Sequence, residues 1–185
     1  IMKYLVNFSI AALAAAAFLF DSPMGILKGM KEIVLSQNRL VTDFFVVGGM
    51  GAAFMNAALV LALCELLILA EKVPFTGPTM ATLFINAGYG LWGKNPFNIL
   101  PILFGVWIYA RVHHVKFGRH IYTALFGTSL APFVTELCYL LPLSVWLRVA
   151  AAILVGIVIG FLLPPLSMHT PSMHMGYNLF NVGFS

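Results

Sequence analysis

The chain has 185 residues, of which 61% are hydrophobic and only 9% are charged, against roughly 45–50% and about 25% in ordinary globular proteins. This composition excludes a water-soluble fold. It also excludes a disordered chain, a coiled coil and a disulfide-rich scaffold, which need low hydrophobicity, dense charge or many cysteines. The formal net charge of +4 comes from cations clustered between apolar runs, which is typical of membrane topology and does not indicate nucleic acid.

The first part of the chain predicts two membrane-spanning helices. Residues 4–20 are apolar and end at a strong stop signal, Asp21-Ser22-Pro23. Residues 24–42 mix cations with aliphatic residues, so we expect a helix at the cytoplasmic interface. Residues 44–70 form the second apolar run, which is long enough for a tilted or broken span.

Glu65 is an acid inside this second apolar run. Such a residue costs about 2.5–3.5 kcal/mol on insertion scales unless it faces a cavity or a partner. Glu65 is therefore a candidate ion-coupling group. The alternative is that it lies close enough to Glu71 and Lys72 to reach the headgroups.

Residues 73–98 are rich in glycine and proline, which is unusual for a simple span. The apolar run between Thr79 and Gly88 would make only about 15 Å of helix, half the roughly 30 Å hydrocarbon core. We therefore predict a re-entrant half-helix. Residues 99–110 would then cross back to a basic segment, 111–120, which we expect in the cytoplasm together with residues 24–42.

The second half of the chain has a similar arrangement. Residues 121–137 are short and interrupted, which favours a second half-helix over a full crossing, and residues 141–163 predict a last span ended by Pro164-Pro165. Pro78-Thr79-Met80 recurs as Pro171-Ser172-Met173 about 93 residues later. This invites an internal duplication with units 1–92 and 94–185, within a single membrane domain spanning 1–185 that we expect to be part of a longer chain.

Several segments resemble a known family: FTGPTMATLFINAGYGLWGKNPFNILPILFGV, GTSLAPFVTEL and HMGYNLFNVGF. They are similar to an uncharacterised family of bacterial integral membrane proteins, catalogued as a domain of unknown function. The resemblance runs from about Thr42 onward and implies that this chain is roughly an N-terminal half. A looser likeness, of architecture alone, is to urea-type channels with pore-lining half-helices.

The strongest candidate site consists of the N-termini of the predicted half-helices and the neutral amide side chains near them. The N-terminus of a half-helix presents unpaired N–H groups and the positive end of a dipole, which suits a polar or anionic solute near the midplane. Polar groups and glycine-permitted backbone approach would line such a site. The candidate residues are Thr79, Asn86, Gly88, Tyr89, Asn178 and Asn181, with Glu65 and His174 as ion-coupling groups.

Two alternatives are weaker. Residues 168–175 contain methionines and histidines that could bind a soft metal ion, but His169 and His174 do not share a helical face. An embedded enzyme could use either histidine with Glu136, although no recognised hydrolase, zinc or phosphate motif occurs. We therefore expect no catalytic residues, no metal site and no cofactor.

The sequence thus predicts an all-α polytopic bundle with re-entrant half-helices that acts as a channel or secondary transporter. The substrate would be a small solute or ion, and the site would depend on broken, polar segments in an otherwise apolar chain. We expect a bacterial inner membrane location. The expected partners are the lipid bilayer and either further copies of the chain or its missing C-terminal half.

Overall fold

The computed structural model describes residues 1–37 and 41–174, with side chains through Thr170. Within these residues the secondary structure is helical, which confirms the predicted all-α class. 3₁₀ turns at Phe117–His120 and Thr128–Leu130 flank the sixth helix. The helices are α1 Met2–Phe20, α2 Pro23–Leu35, α3 Phe44–Ala70, α4 Gly77–Tyr89, α5 Leu100–Val112, α6 Ile121–Gly127, α7 Ala131–Leu140 and α8 Val145–His174.

The break between α1 and α2 lies at the predicted stop signal. Ser22 caps α2, since its Oγ accepts the Gly25 N–H at 3.1 Å, and Pro23 occupies the first turn. α2 then packs against the start of α3. A Cβ on Gly29 or on Gly48 would overlap the carbonyl oxygen of the other residue, so these two backbones are in direct contact.

α3 is the central long helix. Asp43 caps it by accepting the Phe45 N–H at 2.9 Å. The helix is kinked at Gly49, whose φ of 82° is a conformation that glycine adopts readily. The part after this kink has about 20 residues, or about 30 Å, which is enough to cross a bilayer. We call its two extremities the Phe44 end and the Glu71 end.

α4 and α5 form a hairpin of two short helices. Each has 13 residues, about 20 Å, which is less than the roughly 30 Å hydrocarbon core. α5 finishes at the Glu71 end, because the Gly118 N–H that follows it donates to Glu71 Oε2 at 2.8 Å. The connection over 90–99 turns toward the Phe44 end, where the Phe44 N–H donates to the Leu91 carbonyl at 3.2 Å.

Residues 117–140 form one helical stretch of 24 residues that is apolar and long enough to cross a membrane. This length agrees with a full crossing, the alternative to the half-helix that we favoured over residues 121–137. The stretch is not a uniform α-helix. The 3₁₀ turn at Thr128–Leu130 separates α6 from α7.

α8 is longer than predicted. The expected boundary at Pro164-Pro165 is wrong, because the helix continues to His174. A proline leaves the carbonyl four residues earlier without its helical partner, and a membrane helix tolerates this where neighbouring helices pack against it. Leu163 is buried in this stretch and packs at Gly127. Residues 171–174, which contain the repeated Pro171-Ser172-Met173, form the last turn of α8, and residues 175–185 lie outside the described part.

The long helices alternate in direction. α1 is antiparallel to α3, with Asn7 opposite Glu65. α8 is antiparallel to residues 117–140, since Thr123 Oγ1 lies 3.4 Å from Ser167 Oγ. α5 runs parallel to α8 in close contact, and a Cβ on Gly105 would overlap the Ile157 carbonyl oxygen. α8 therefore ends, like α3 and α5, at the Glu71 end.

This arrangement corrects the predicted sidedness of the basic segments. Residues 24–42 precede α3, whereas residues 111–120 bond to its last turn through Glu71. The two segments lie at opposite ends of a helix that is long enough to cross the membrane. They therefore cannot both be cytoplasmic when α3 spans. The error arose because α5 was counted as a full crossing, although its 13 residues are too few.

The exterior of the molecule is apolar. Large hydrophobic side chains such as Phe8, Trp146 and Leu154 are exposed, while the core lies between α3, α5, α6 and α8. Among the described residues, four stretches are long and apolar enough to cross a membrane: Met2–Phe20, Phe44–Ala70, Phe117–Leu140 and Val145–Thr170. These observations indicate an integral membrane protein.

Candidate functional site

A buried lysine lies at the centre of the molecule. Lys94 is 1% exposed, and its Nζ donates to Asn86 Oδ1 at 2.8 Å and to Thr128 Oγ1 at 2.9 Å. Thr128 Oγ1 is also 3.1 Å from the same amide oxygen. We call Lys94, Asn86, Thr128 and Tyr89 the Lys94 cluster. No carboxylate from the described residues forms an ion pair with the Lys94 amine, so neutral groups alone surround it.

The Lys94 cluster lies at the depth of the membrane centre. Asn56 bonds to the Lys94 carbonyl and stands seven residues, about 10 Å, after the Gly49 kink of α3, which is inside the spanning part of that helix. Thr128 stands near the middle of the candidate span Phe117–Leu140. Two independent spans therefore place the lysine close to the bilayer midplane, where an ionisable residue is expensive and is commonly functional.

The helices around the Lys94 cluster are interrupted at the same level. α4 ends at Tyr89, the backbone over 90–99 is irregular, and the α6–α7 stretch changes to a 3₁₀ turn at Thr128. Non-helical backbone at membrane depth is tolerated only where protein buries it or where it lines a watery cavity. Discontinuous helices at the midplane are a recurring feature of transporter binding sites.

Asparagine side chains hold the irregular connection in place. Asn56 Nδ2 donates to the carbonyls of Gly90 at 2.6 Å and Lys94 at 2.7 Å. Asn95 Oδ1 accepts the Phe97 and Asn98 N–H groups, each at 2.9 Å. These bonds satisfy backbone groups that helical pairing leaves open. Asn56 Oδ1 itself is buried and has no partner among the described residues, so α3 presents one free acceptor beside the connection.

Opposing effects act on a charge at the Lys94 amine. The Lys94 ammonium would lie 4.8 Å from the centroid of the Tyr89 ring and beside the C-terminal end of α4, and both features attract a cation. Burial away from water acts in the opposite direction, because it disfavours the charged form of a buried group.

Only part of the predicted site comes together here. Asn86 and Tyr89 belong to the Lys94 cluster, and Gly88 is in the same final turn of α4. Thr79 is buried in the first turn of α4, where its hydroxyl bonds to the Pro74 carbonyl and the Tyr122 hydroxyl, each at 2.8 Å. The polar cluster therefore lies at the C-terminal end of α4, whereas the prediction emphasised the N-terminal end.

The remaining predicted residues are elsewhere. Glu65 is buried and faces α1. The Asn7 amide, oriented with its nitrogen toward Glu65, donates to its two carboxylate oxygens at 3.2 and 3.0 Å. The His174 side chain and both Asn178 and Asn181 lie outside the described residues. Glu65 thus has a partner across the α1–α3 contact and no hydrogen bond to the Lys94 cluster.

The alternative enzyme pair is separated. Val134, two residues before Glu136, packs at Gly156, which places Glu136 near that level of α8. His169 is 13 residues further along α8, or about 20 Å. The structure does not bring these two side chains together. Among the described residues, no three His, Cys, Asp or Glu side chains are grouped so that they could hold a metal ion.

Lys94 is the functional candidate that the sequence prediction missed. It is the single cation between Lys72 and Arg111, within the glycine- and proline-rich stretch that was already singled out. A cation isolated among apolar residues and helix breakers is a signal for burial. The sequence indicated Thr128 less clearly, because it is one of several polar residues that interrupt the apolar run over 121–137.

The four apolar spans and the polar interior define a helical integral membrane protein. The chain belongs to the family described as Protein of unknown function (DUF1576), whose family model matches residues 22–185. This confirms the predicted resemblance to a domain of unknown function. No curated protein and no solved structure matches the chain.

Proposed function

We propose that this protein is a channel or secondary transporter for a small solute or ion, and that the Lys94 cluster is its central site. One observation carries the proposal: a lysine that is 1% exposed lies level with the middle of two candidate spans, among interrupted helices. A polar, irregular region costs stability in an apolar environment. A transport pathway is a common reason for a membrane protein to keep one.

The hydrogen bonds of Lys94 support a role in proton coupling. A neutral amine has two N–H groups, and Asn86 Oδ1 and Thr128 Oγ1 accept two hydrogen bonds. A charged ammonium has a third N–H, which the Tyr89 ring, the free Asn56 Oδ1 or a solute would have to receive. Lys94 could therefore exchange a proton as a solute enters or leaves. In this proposal Lys94 takes the coupling role that was predicted for Glu65 and His174.

The Asn86 amide and the Thr128 hydroxyl would recognise the solute when the amine turns away from them. Both are neutral groups that accept and donate hydrogen bonds, which suits a small polar molecule or a partly dehydrated ion. The α4–α5 hairpin, whose ends both lie toward Glu71, would act as the re-entrant element that lines the path. We also propose that the exposed surfaces of α1 and α8 pack against further copies of the chain.

We also propose that the Glu71 end faces the cytoplasm of a bacterial cell. Arg111, Lys116 and Arg119 lie there, and Lys3 and Lys72 bring the total to five of the ten Lys and Arg residues. Single cysteines at Glu32 and Lys116, in a background carrying C64A and C138A, would test this in spheroplasts. We expect an impermeant maleimide to label the Glu32 position and not the Lys116 position. The reverse pattern would invert the orientation, and equal labelling would contradict a spanning α3.

A flux measurement in liposomes tests the transport proposal. Purified protein would be compared with empty liposomes for urea, ammonium, formate, acetate, Na⁺ and protons. We expect at least one of these fluxes to exceed the background. The variant K94M should lower that flux by about tenfold or more, equivalent to about 1.4 kcal/mol.

The matched control is K28M, which changes an exposed lysine of α2 and should leave the flux unchanged. Circular dichroism and thermal unfolding would verify that K94M is folded. An equal flux in K94M and the parent protein would remove Lys94 from the pathway. Background flux for every probe would contradict transport of these solutes and ions.

A further inference from the structure

A second polar feature lies at the Glu71 end, away from the Lys94 cluster. It is a cleft of about 420 Å³ where α5 ends and the 3₁₀ turn before α6 begins. We call it the basic cleft, because its lining includes one carboxylate against two permanent cations and a histidine. Its lining residues are Glu71, Trp107, Ala110, Arg111, His114, Val115, Lys116 and Phe117.

The cations of the basic cleft have no acidic partner within the part of the chain that the structure describes. The one carboxylate of the lining, Glu71, accepts the Gly118 N–H at 2.8 Å through Oε2, which fixes it as a structural link between α3 and the 3₁₀ turn. Arg111 lies over the Trp107 ring, with 5.0 Å between Cζ and the centroid. The stacked guanidinium keeps N–H groups available at its edge, and Lys116 is exposed.

The backbone at His114 is an independent sign that this place is specialised. His114 has a φ of 54°, and the Val115 N–H donates to the Ala110 carbonyl at 2.9 Å. This is the geometry of a Schellman helix end, in which the left-handed position is usually glycine. A histidine here is less favourable for the backbone, and it adds an imidazole to the lining of the cleft. The end of α3 has the same geometry at Lys72, with a φ of 55°, so both helices carry a basic side chain where glycine is usual.

The other part of the lining is apolar. Trp107, Ala110, Val115 and Phe117 belong to the basic cleft, and the Trp107 ring also stacks on Phe104 at a centroid distance of 5.4 Å. Tryptophan is enriched at membrane–water interfaces. The cleft therefore offers an apolar surface and a cationic surface side by side at the end of three membrane helices.

We propose that the basic cleft binds the phosphate of an anionic phospholipid headgroup. Arg111, Lys116 and His114 would donate hydrogen bonds to the phosphate oxygens, and the start of an acyl chain would contact Trp107 and Phe117. A free phosphate would match only the cationic part. The apolar part and the location at a membrane surface favour the lipid, as in basic pockets between membrane helices. This proposal is independent of transport through the Lys94 cluster.

Orientation signals alone do not account for the cleft. The positive-inside rule and the dipole of α5 explain cations near Val112. Neither effect requires a concave lining, an arginine stacked on tryptophan or a histidine in a left-handed conformation. These three features together indicate a bound group with negative charge and an apolar portion.

Fluorescence quenching in nanodiscs tests the proposal. A chain carrying W92F and W146F keeps Trp107 as its tryptophan. It would be placed in brominated phosphatidylglycerol diluted in unbrominated phosphatidylcholine, and in brominated phosphatidylcholine at the same mole fraction and with the same acyl chains. We expect stronger quenching by the anionic lipid, because it would be retained beside Trp107.

Two variants sharpen this result. R111Q/K116Q should remove the excess quenching by phosphatidylglycerol, whereas K28Q/K31Q, at the other end of α3, should retain it. K116Q alone, which leaves the Arg111–Trp107 stack intact, should reduce the excess and serves if the double variant does not fold. For each variant, the excess is the quenching by brominated phosphatidylglycerol minus the quenching of the same variant by brominated phosphatidylcholine.

Three outcomes would overturn the proposal. Equal quenching by the two lipids would show that the cleft does not retain the anionic one. An excess that persists in both R111Q/K116Q and K116Q would place the selectivity elsewhere. Loss of the excess on addition of inorganic phosphate, with no loss on addition of equal ionic strength as NaCl, would assign the cleft to a free phosphate.

Discussion

The Lys94 cluster and the basic cleft place the same chemical group in opposite environments. Lys94 is 1% exposed and bonds to an amide and a hydroxyl near the membrane centre. Lys116 is exposed at the Glu71 end, next to a stacked arginine. One cation is thus buried among neutral groups, whereas several others are exposed at the end of a helix. Depth in the membrane, and not residue type, separates the two environments.

Charge reversal should give the largest contrast between the two regions. Lys94→Glu places a carboxylate beside the Asn86 amide oxygen in a buried site, and we expect the free energy of unfolding in detergent to fall by about 3–5 kcal/mol. Lys116→Glu should change it by less than about 0.5 kcal/mol. Denaturant titrations of both variants would measure this. Similar losses would show that Lys94 is far more hydrated than its burial indicates.

Asn56→Leu tests the support of the Lys94 cluster. The change leaves the carbonyls of Gly90 and Lys94 without their side-chain donor, which should cost about 1–3 kcal/mol for each buried group that finds no other partner. Met55→Leu, a volume-conserving neighbour on α3, should cost less than about 1.5 kcal/mol. Thermal unfolding would compare them. An equal effect would mean that water already satisfies the connection.

His114→Gly should give the smallest effect. Glycine relieves the left-handed backbone at the end of α5 and should raise the free energy of unfolding by up to about 1 kcal/mol. His113→Gly, one residue earlier and with an ordinary φ of −89°, should not stabilise the protein. Denaturant midpoints would measure the difference. A loss of stability in His114→Gly would mean that the imidazole makes contacts worth more than the strain.

The predicted elements that the structure confirms are those controlled by local rules. The stop after Phe20, the span over 44–70 and a short helix beginning near Pro78 follow from hydrophobic length and from helix-breaking residues. The end of α8 was mispredicted because a proline does not have to end a membrane helix that packs against its neighbours, and Leu163 packs at Gly127 just before Pro164. The sidedness of 111–120 was mispredicted because α5 returns to Glu71 without crossing.

The sequence alone determined that this is a helical membrane protein, that 73–98 is irregular, and that Asn86 and Tyr89 are polar groups in an apolar setting. These conclusions depend on composition and on neighbours in the chain. Only the tertiary structure decided that Lys94 meets Thr128 across 34 residues and that Glu65 meets Asn7. Such pairings are fixed by how α3, α4 and α6 pack, because a buried polar group takes whichever partner the packed helices bring within hydrogen-bond distance.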